Sequence, residues 1–138
     1  MRDRIVRVVL VVWAAVSVQL GIWAAFAPRS FYDDYPGFGR HWVRVNGPYN
    51  EHFVRDFGAL NLALAVVTIF AVVTFARPLV IAVAVAWLAW DIPHLVYHLR
   101  HLDVYDTGDK VLNVSALAAL PVLAILVLAL MLTSPARR

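Results

Sequence analysis

The chain has 138 residues, of which 62% are hydrophobic and 15% charged, and its mean hydropathy is +0.74. A soluble domain is typically about half apolar and a quarter charged, so the composition predicts a membrane protein with one domain over residues 1–138. Cysteine is absent, which excludes disulfides and thiolate chemistry. The net charge of +3 comes from basic residues that are scattered singly, which excludes a nucleic-acid-binding stripe.

Four apolar runs follow one another along the chain, over roughly residues 5–27, 53–76, 79–99 and 111–132. Each is near the ~20 residues that a helix needs to cross the hydrocarbon core. The first run has a basic start and ends in "AFA", as a signal peptide does, but its apolar stretch exceeds the ~7–15 residues of a signal sequence. The alternation typical of strands is absent. The sequence therefore predicts an all-α integral membrane protein, a bundle of four transmembrane helices.

The short connections between the runs predict the orientation. Each side of the bundle has six basic residues, so a bare count is a tie. The positive-inside rule weighs termini and tight turns most strongly, and these hold all six of one side: Arg2, Arg4, Arg7, Arg77, Arg137 and Arg138. We therefore predict a multi-pass protein of the plasma membrane with both termini in the cytoplasm. All five histidines then fall toward the extracytoplasmic end.

The third run ends in "AWDIPHLVYHLRH", where ionisable residues stand three, four and three apart: Asp91, His94, His98 and His101. At about 100° per residue these four fit within an arc of about 80° on a helix, and Trp87 lies on the same stripe. A charge near the bilayer centre costs about 2.5–3.5 kcal/mol on insertion scales, so such residues normally face the bundle interior and mark function. Asp91 is the deepest of them, and we expect it to be paired or protonated.

The start of the second run has a matching set of polar residues. Asn50 is the predicted N-cap of this helix. Two pairs stand four residues apart, Glu51 with Arg55 and His52 with Asp56. Asn61 lies deeper, on a different face. Because the four-helix topology brings this segment to the same end as the histidines, we predict one polar pocket there. It is formed by the stripe, which includes Trp87 and His101, together with Glu51, Arg55 and Asn61.

Three interpretations of this pocket remain open. The first is a transition-metal or haem site: His94 and His98 at i and i+4 chelate one ion with Asp91, and His52 and Asp56 complete the shell. The second is a metal-free pocket that binds or transforms a lipid or another apolar small molecule, with Asp91 or His94 as the catalytic acid or base. The third is a structural subunit, in which polar residues fasten the helices and the partner is another membrane protein.

Two segments, "GPYNEHFVRDFGALNLALA" in the second run and "PHLVYHLRHLD" in the third, carry a resemblance. Through them the core of the chain resembles a family of small bacterial four-span membrane proteins. The resemblance implies the four-helix architecture. No activity is assigned to that family, so it implies nothing about function.

Overall fold

The structure is a computed structural model and describes residues 1–133. This part of the chain contains five α-helices: α1 (Arg2–Phe26), α2 (Pro28–Asp34), α3 (Glu51–Thr74), α4 (Arg77–Arg100) and α5 (Thr107–Leu132). All except α2 are long and apolar enough to cross a membrane, by length and composition. The predicted all-helical fold with four long apolar helices is therefore confirmed. Arg137 and Arg138, which entered the orientation argument, lie outside the described residues.

The connection between α1 and α3 is more structured than the predicted polar loop. It contains α2, then an antiparallel hairpin of β1 (Pro36–Gly37) and β2 (Arg40–His41), then a 3-10 turn at Arg44–Asn46. Its aromatic residues fold back onto the helix ends: Phe31 is buried, and its ring centroid lies 5.4 Å from that of Phe57 in α3. The connection therefore covers one end of the bundle, which we call the loop end.

Local chemistry fixes where the helices begin and end. The Asn50 side chain accepts a hydrogen bond of 3.3 Å from the Phe53 backbone N–H, which confirms the predicted N-cap of α3. Asp106 caps α5 in the same way, through a bond of 2.8 Å from the Asp109 N–H. At the other end α3 ends at Thr74; Phe75 follows with a left-handed φ of 50°, and α4 begins at Arg77. This tight turn makes α3 and α4 antiparallel neighbours.

Glycine lets α1 and α3 approach each other closely. A Cβ atom added at Gly58 would collide with the backbone of Ala24 and Ala25, and one added at Gly21 would lie 2.7 Å from Cγ of Leu62. These contacts also show that the two helices run antiparallel, because the end of α1 meets the start of α3. Small residues that allow backbones to approach in this way are the usual basis of helix packing in membranes.

Two tryptophans join α1 to α4 in the centre of the bundle. The rings of Trp13 and Trp87 stack with centroids 5.3 Å apart and planes 21° apart, and both side chains are buried. The Trp87 Nε1–H also donates to Oγ1 of Thr68 in α3, at 3.4 Å. The helices α1 and α4 run in the same direction along the bundle. The stack therefore fixes the axial register of one helix relative to the other.

We expect Gly58→Ala to lower the free energy of unfolding by about 1–3 kcal/mol, because the new methyl group meets backbone that cannot move aside. The measurement is thermal denaturation in detergent. Gly108→Ala is the control: a Cβ there has no neighbour closer than 3.4 Å, so this change should be neutral or slightly stabilising. Equal stability of the two variants would contradict the close approach of α1 and α3.

Candidate functional site

Tyr105 links three parts of the loop end. Its hydroxyl donates to the Trp42 carbonyl at 3.2 Å, accepts a bond from Nδ2 of Asn46, and lies 3.2 Å from Nδ1 of His98. Burial raises the pKa of Tyr105, so the hydroxyl is neutral and able to donate at neutral pH. Because its hydrogen goes to Trp42, we assign the hydrogen of the His98 ring to Nδ1, which then donates to Tyr105. We call Trp42, Asn46 and Tyr105 the loop cap.

Two of the three predicted histidines of α4 lie beneath this cap. The rings of His94 and His98 meet edge to face with centroids 4.7 Å apart, and Trp90 stacks on His94 at 5.6 Å. His98 is buried and His94 half-buried. They form a short column along the interior side of α4, which continues toward Asp91 one turn further in.

His101, the last residue of the predicted stripe, does not join this column. It is exposed, and its Nδ1 lies 2.7 Å from the Tyr97 carbonyl. The reason is local: α4 ends at Arg100, and His101 has φ −127° and ψ 38°, so the helical period no longer determines where its side chain lies. The predicted pocket residue His101 therefore belongs to the surface.

Asp91 is the deepest ionisable group of α4. It is 2% exposed, and neither carboxylate oxygen has a hydrogen-bond partner among the described residues. Trp87, which was also predicted to line the pocket, is buried one turn further from the loop end, where it stacks on Trp13. A bare ionised carboxylate in such surroundings is very costly, so Asp91 requires a proton or a positively charged or donating partner.

Two further buried residues have oxygens without partners. Ser17 of α1 is fully buried and Asn113 of α5 is 3% exposed, and neither Oγ of Ser17 nor Oδ1 of Asn113 has a hydrogen bond within the part of the chain described. Ser17 was not predicted as a site residue. Ser17 lies four residues after Trp13 and therefore on the same face of α1. Its burial can be inferred from this spacing only when the stack of Trp13 on Trp87 is known.

Asn61 lies in the interior, as predicted, but its amide is used within its own helix. The side-chain Nδ2 donates to the Phe57 carbonyl at 2.9 Å, and Thr68 donates likewise to the Leu64 carbonyl at 2.7 Å. Both residues are almost fully buried. They line the inner face of α3 and give Asp91 no hydrogen-bond partner.

The four charged or titratable residues at the start of α3 form the predicted pairs and stay outside the pocket. Glu51 and Arg55 are in contact at 2.8 Å and His52 and Asp56 at 3.4 Å. The side chains of His52 and Asp56 are 79% and 54% exposed. The inner face of α3 passes through Asn61, which is about 180° around the helix from His52 at 100° per residue.

The predicted metal shell is therefore not assembled. No group of three or more His, Asp or Glu side chains within residues 1–133 is arranged to hold a metal ion. His94 and His98 are neighbours, as predicted, whereas His52 and Asp56 face away from them. Ser17 and Asn113, the other buried residues with unpartnered oxygens, carry no usual transition-metal ligand.

Comparison with known proteins gives no relative. No family model, no curated protein and no solved structure matches the chain. The resemblance to bacterial four-span proteins stays a prediction.

Removing the Tyr105 hydroxyl tests the loop cap. We expect Tyr105→Phe to lower the free energy of unfolding by about 1–3 kcal/mol, because buried groups of Asn46 and His98 lose a partner. Thermal denaturation in detergent measures this change. Tyr97→Phe is the matched control on α4, since that ring is 44% exposed. A Tyr105→Phe protein as stable as the control would show that the hydroxyl does not hold the cap together.

Proposed function

We propose that the chain is a multi-pass integral protein of the plasma membrane, with both termini in the cytoplasm and the loop cap outside. Four long apolar helices support this proposal. Large apolar side chains on their outer faces support it too, since Val73, Val111 and Val122 are 73%, 62% and 63% exposed. Apolar surface on this scale favours aggregation in water, whereas lipid chains cover it at no cost.

Single cysteines test the orientation cleanly, because the chain has none of its own. We expect Ser30→Cys and Thr107→Cys to react with an impermeant maleimide on intact cells. Ala76→Cys, in the tight turn between α3 and α4, should react only after permeabilisation. All three residues are exposed in the structure. Reaction of Ala76→Cys alone would reverse the orientation, and reaction of only one loop site would contradict the four-span topology.

We infer that the working part is a site without a transition metal, which has Asp91 at its inner end and an entrance that passes His94, His98 and the loop cap. The observation that carries this proposal is the buried carboxylate without a partner at the foot of the histidine column. Both unpartnered oxygens of the Asp91 carboxylate are acceptors, as is the unpartnered Oδ1 of Asn113. A fitting ligand is therefore small and carries hydrogen-bond donors or a positive charge.

Two observations favour this site over the other predicted functions. If Asp91 served to fasten helices, it would need a hydrogen bond or an ion pair, and no described residue makes one with it. A transition-metal site would require a shell of imidazole and carboxylate ligands, which the described residues do not form. A lipid or other apolar molecule as the ligand, and a catalytic role for Asp91 or His94, remain predictions.

Access to Asp91 from the loop end is the experimental test. We expect Asp91→Cys to react with a small cationic methanethiosulfonate reagent, and a second change, Tyr105→Ala, to accelerate the reaction by opening the cap. Ala84→Cys is the matched control, since Ala84 is fully buried on the same face of α4, two turns further in and beyond Trp87.

The nearly isosteric Ser17→Cys provides a second reporter that leaves the carboxylate in place. It should also react faster than Ala84→Cys. If Asp91→Cys and Ser17→Cys were both as unreactive as Ala84→Cys in folded protein, the site would not be reachable and the proposal would fail.

A further inference from the structure

We propose that Asp91, Ser17 and Asn113 together bind one small monovalent cation, with sodium as the best fit. This inference rests on the proposed function, because it names the class of ligand that the site at Asp91 takes.

Besides Nε1 of Trp13, and Nε1 of Trp42 and Oδ1 of Asn46 in the loop cap, the buried side-chain atoms without partners among residues 1–133 are oxygens of the helix interiors. They are both carboxylate oxygens of Asp91, Oγ of Ser17 and Oδ1 of Asn113. Each residue is at most 3% exposed, so each side chain lies in the interior of the bundle. None of these oxygens bonds to another, although all of them can accept. Buried polar atoms normally have a partner, so several unsatisfied acceptors in one interior call for a common explanation.

The helix register places these oxygens at similar depths. Ser17 lies nine residues before the end of α1 and Asp91 nine residues before the end of α4, both about 14 Å from the loop end at 1.5 Å per residue. Each also follows a partner of the Trp13–Trp87 stack by one turn in the direction of the loop end. Asn113 lies six residues into α5, about 9 Å from the start of that helix, which also begins at the loop end.

The chemistry of this set selects the ion. Carboxylate, amide and hydroxyl oxygens are hard ligands, which suit alkali and alkaline-earth cations and not the metals that prefer imidazole or sulfur. The set contains one carboxylate, whose single negative charge is balanced by a single positive charge. A divalent ion would leave a net charge in an apolar interior, which is costly. A carboxylate with neutral oxygens therefore fits a monovalent cation such as sodium better than calcium or magnesium.

Sodium-dependent stabilisation tests the proposal. The purified protein is melted in detergent while NaCl replaces choline chloride at constant ionic strength. A cation that binds only the folded state should raise the melting temperature in proportion to the logarithm of its concentration above the dissociation constant. Direct binding of radioactive sodium by equilibrium dialysis gives a second readout. Asp91→Asn should abolish both signals.

Loss of one neutral oxygen should weaken binding without abolishing it. We expect Ser17→Ala and Asn113→Leu each to raise the apparent dissociation constant for sodium roughly tenfold or more, the effect of losing one charge-assisted contact. Gln19→Ala and Ser115→Ala are the matched controls on α1 and α5, since both residues are exposed. They should leave sodium binding unchanged.

The outcomes separate this inference from the proposed function. Wild-type protein that neither binds radioactive sodium nor melts differently in NaCl and choline chloride overturns the cation site. Stabilisation by tetraphenylphosphonium at Asp91 without any by sodium also overturns it, in favour of an organic cation. In either case a reactive Asp91→Cys would leave the proposed function standing. If Asp91→Asn fails to fold, the dialysis of wild type, Ser17→Ala and Asn113→Leu decides the question.

Discussion

The stacking of Trp13 on Trp87 is the contact on which the geometry of the interior depends. The bundle consists of two closely packed helix pairs, α1 with α3 and α4 with α5, and the stacked rings join a helix of one pair to a helix of the other. Aromatic pairs in this geometry contribute about 0.5–1.5 kcal/mol beyond the area they bury. The stack also places Ser17 and Asp91 at one depth, because each lies one turn nearer the loop end than its tryptophan. The depth of the site therefore follows from a contact between residues 74 positions apart in the sequence.

The sequence predicts the four long helices and the inner column of α4 because both are local patterns. Apolar runs of about 20 residues can be recognised from length and composition alone. The spacing of Asp91, His94 and His98 is likewise a local helical pattern. The inner face of α3 was harder to predict. His52 and Asp56 are its most conspicuous polar residues, yet Gly58 decides which face turns inward, because only a residue without a side chain allows the backbone of α1 to approach so closely.

The loop cap could not be predicted, since no periodic pattern relates its members. Trp42 and Asn46 come from the connection between α1 and α3, and Tyr105 comes from the connection between α4 and α5. Their meeting depends on the whole bundle. The Arg40 side chain, which forms an ion pair with Asp109, links the connection between α1 and α3 to the first turn of α5. The exposure of His101 has a different cause. The helix α4 ends at Arg100, so a helical wheel does not predict the direction of the His101 side chain.

The contrast between Asp91 and the buried residues of α3 explains why a carboxylate at this depth has consequences that an amide or a hydroxyl does not. Asn61 and Thr68 carry donors, so each bonds to the carbonyl four residues earlier in its own helix. An ionised aspartate has only acceptors, and the backbone N–H groups inside a helix are already bonded. A helix interior can therefore satisfy Asn61 or Thr68 from within, whereas Asp91 needs a donor or a cation from another element or from outside the chain. The described residues supply neither. Local rules of this kind are normally broken at functional sites, where the rest of the fold offsets the cost.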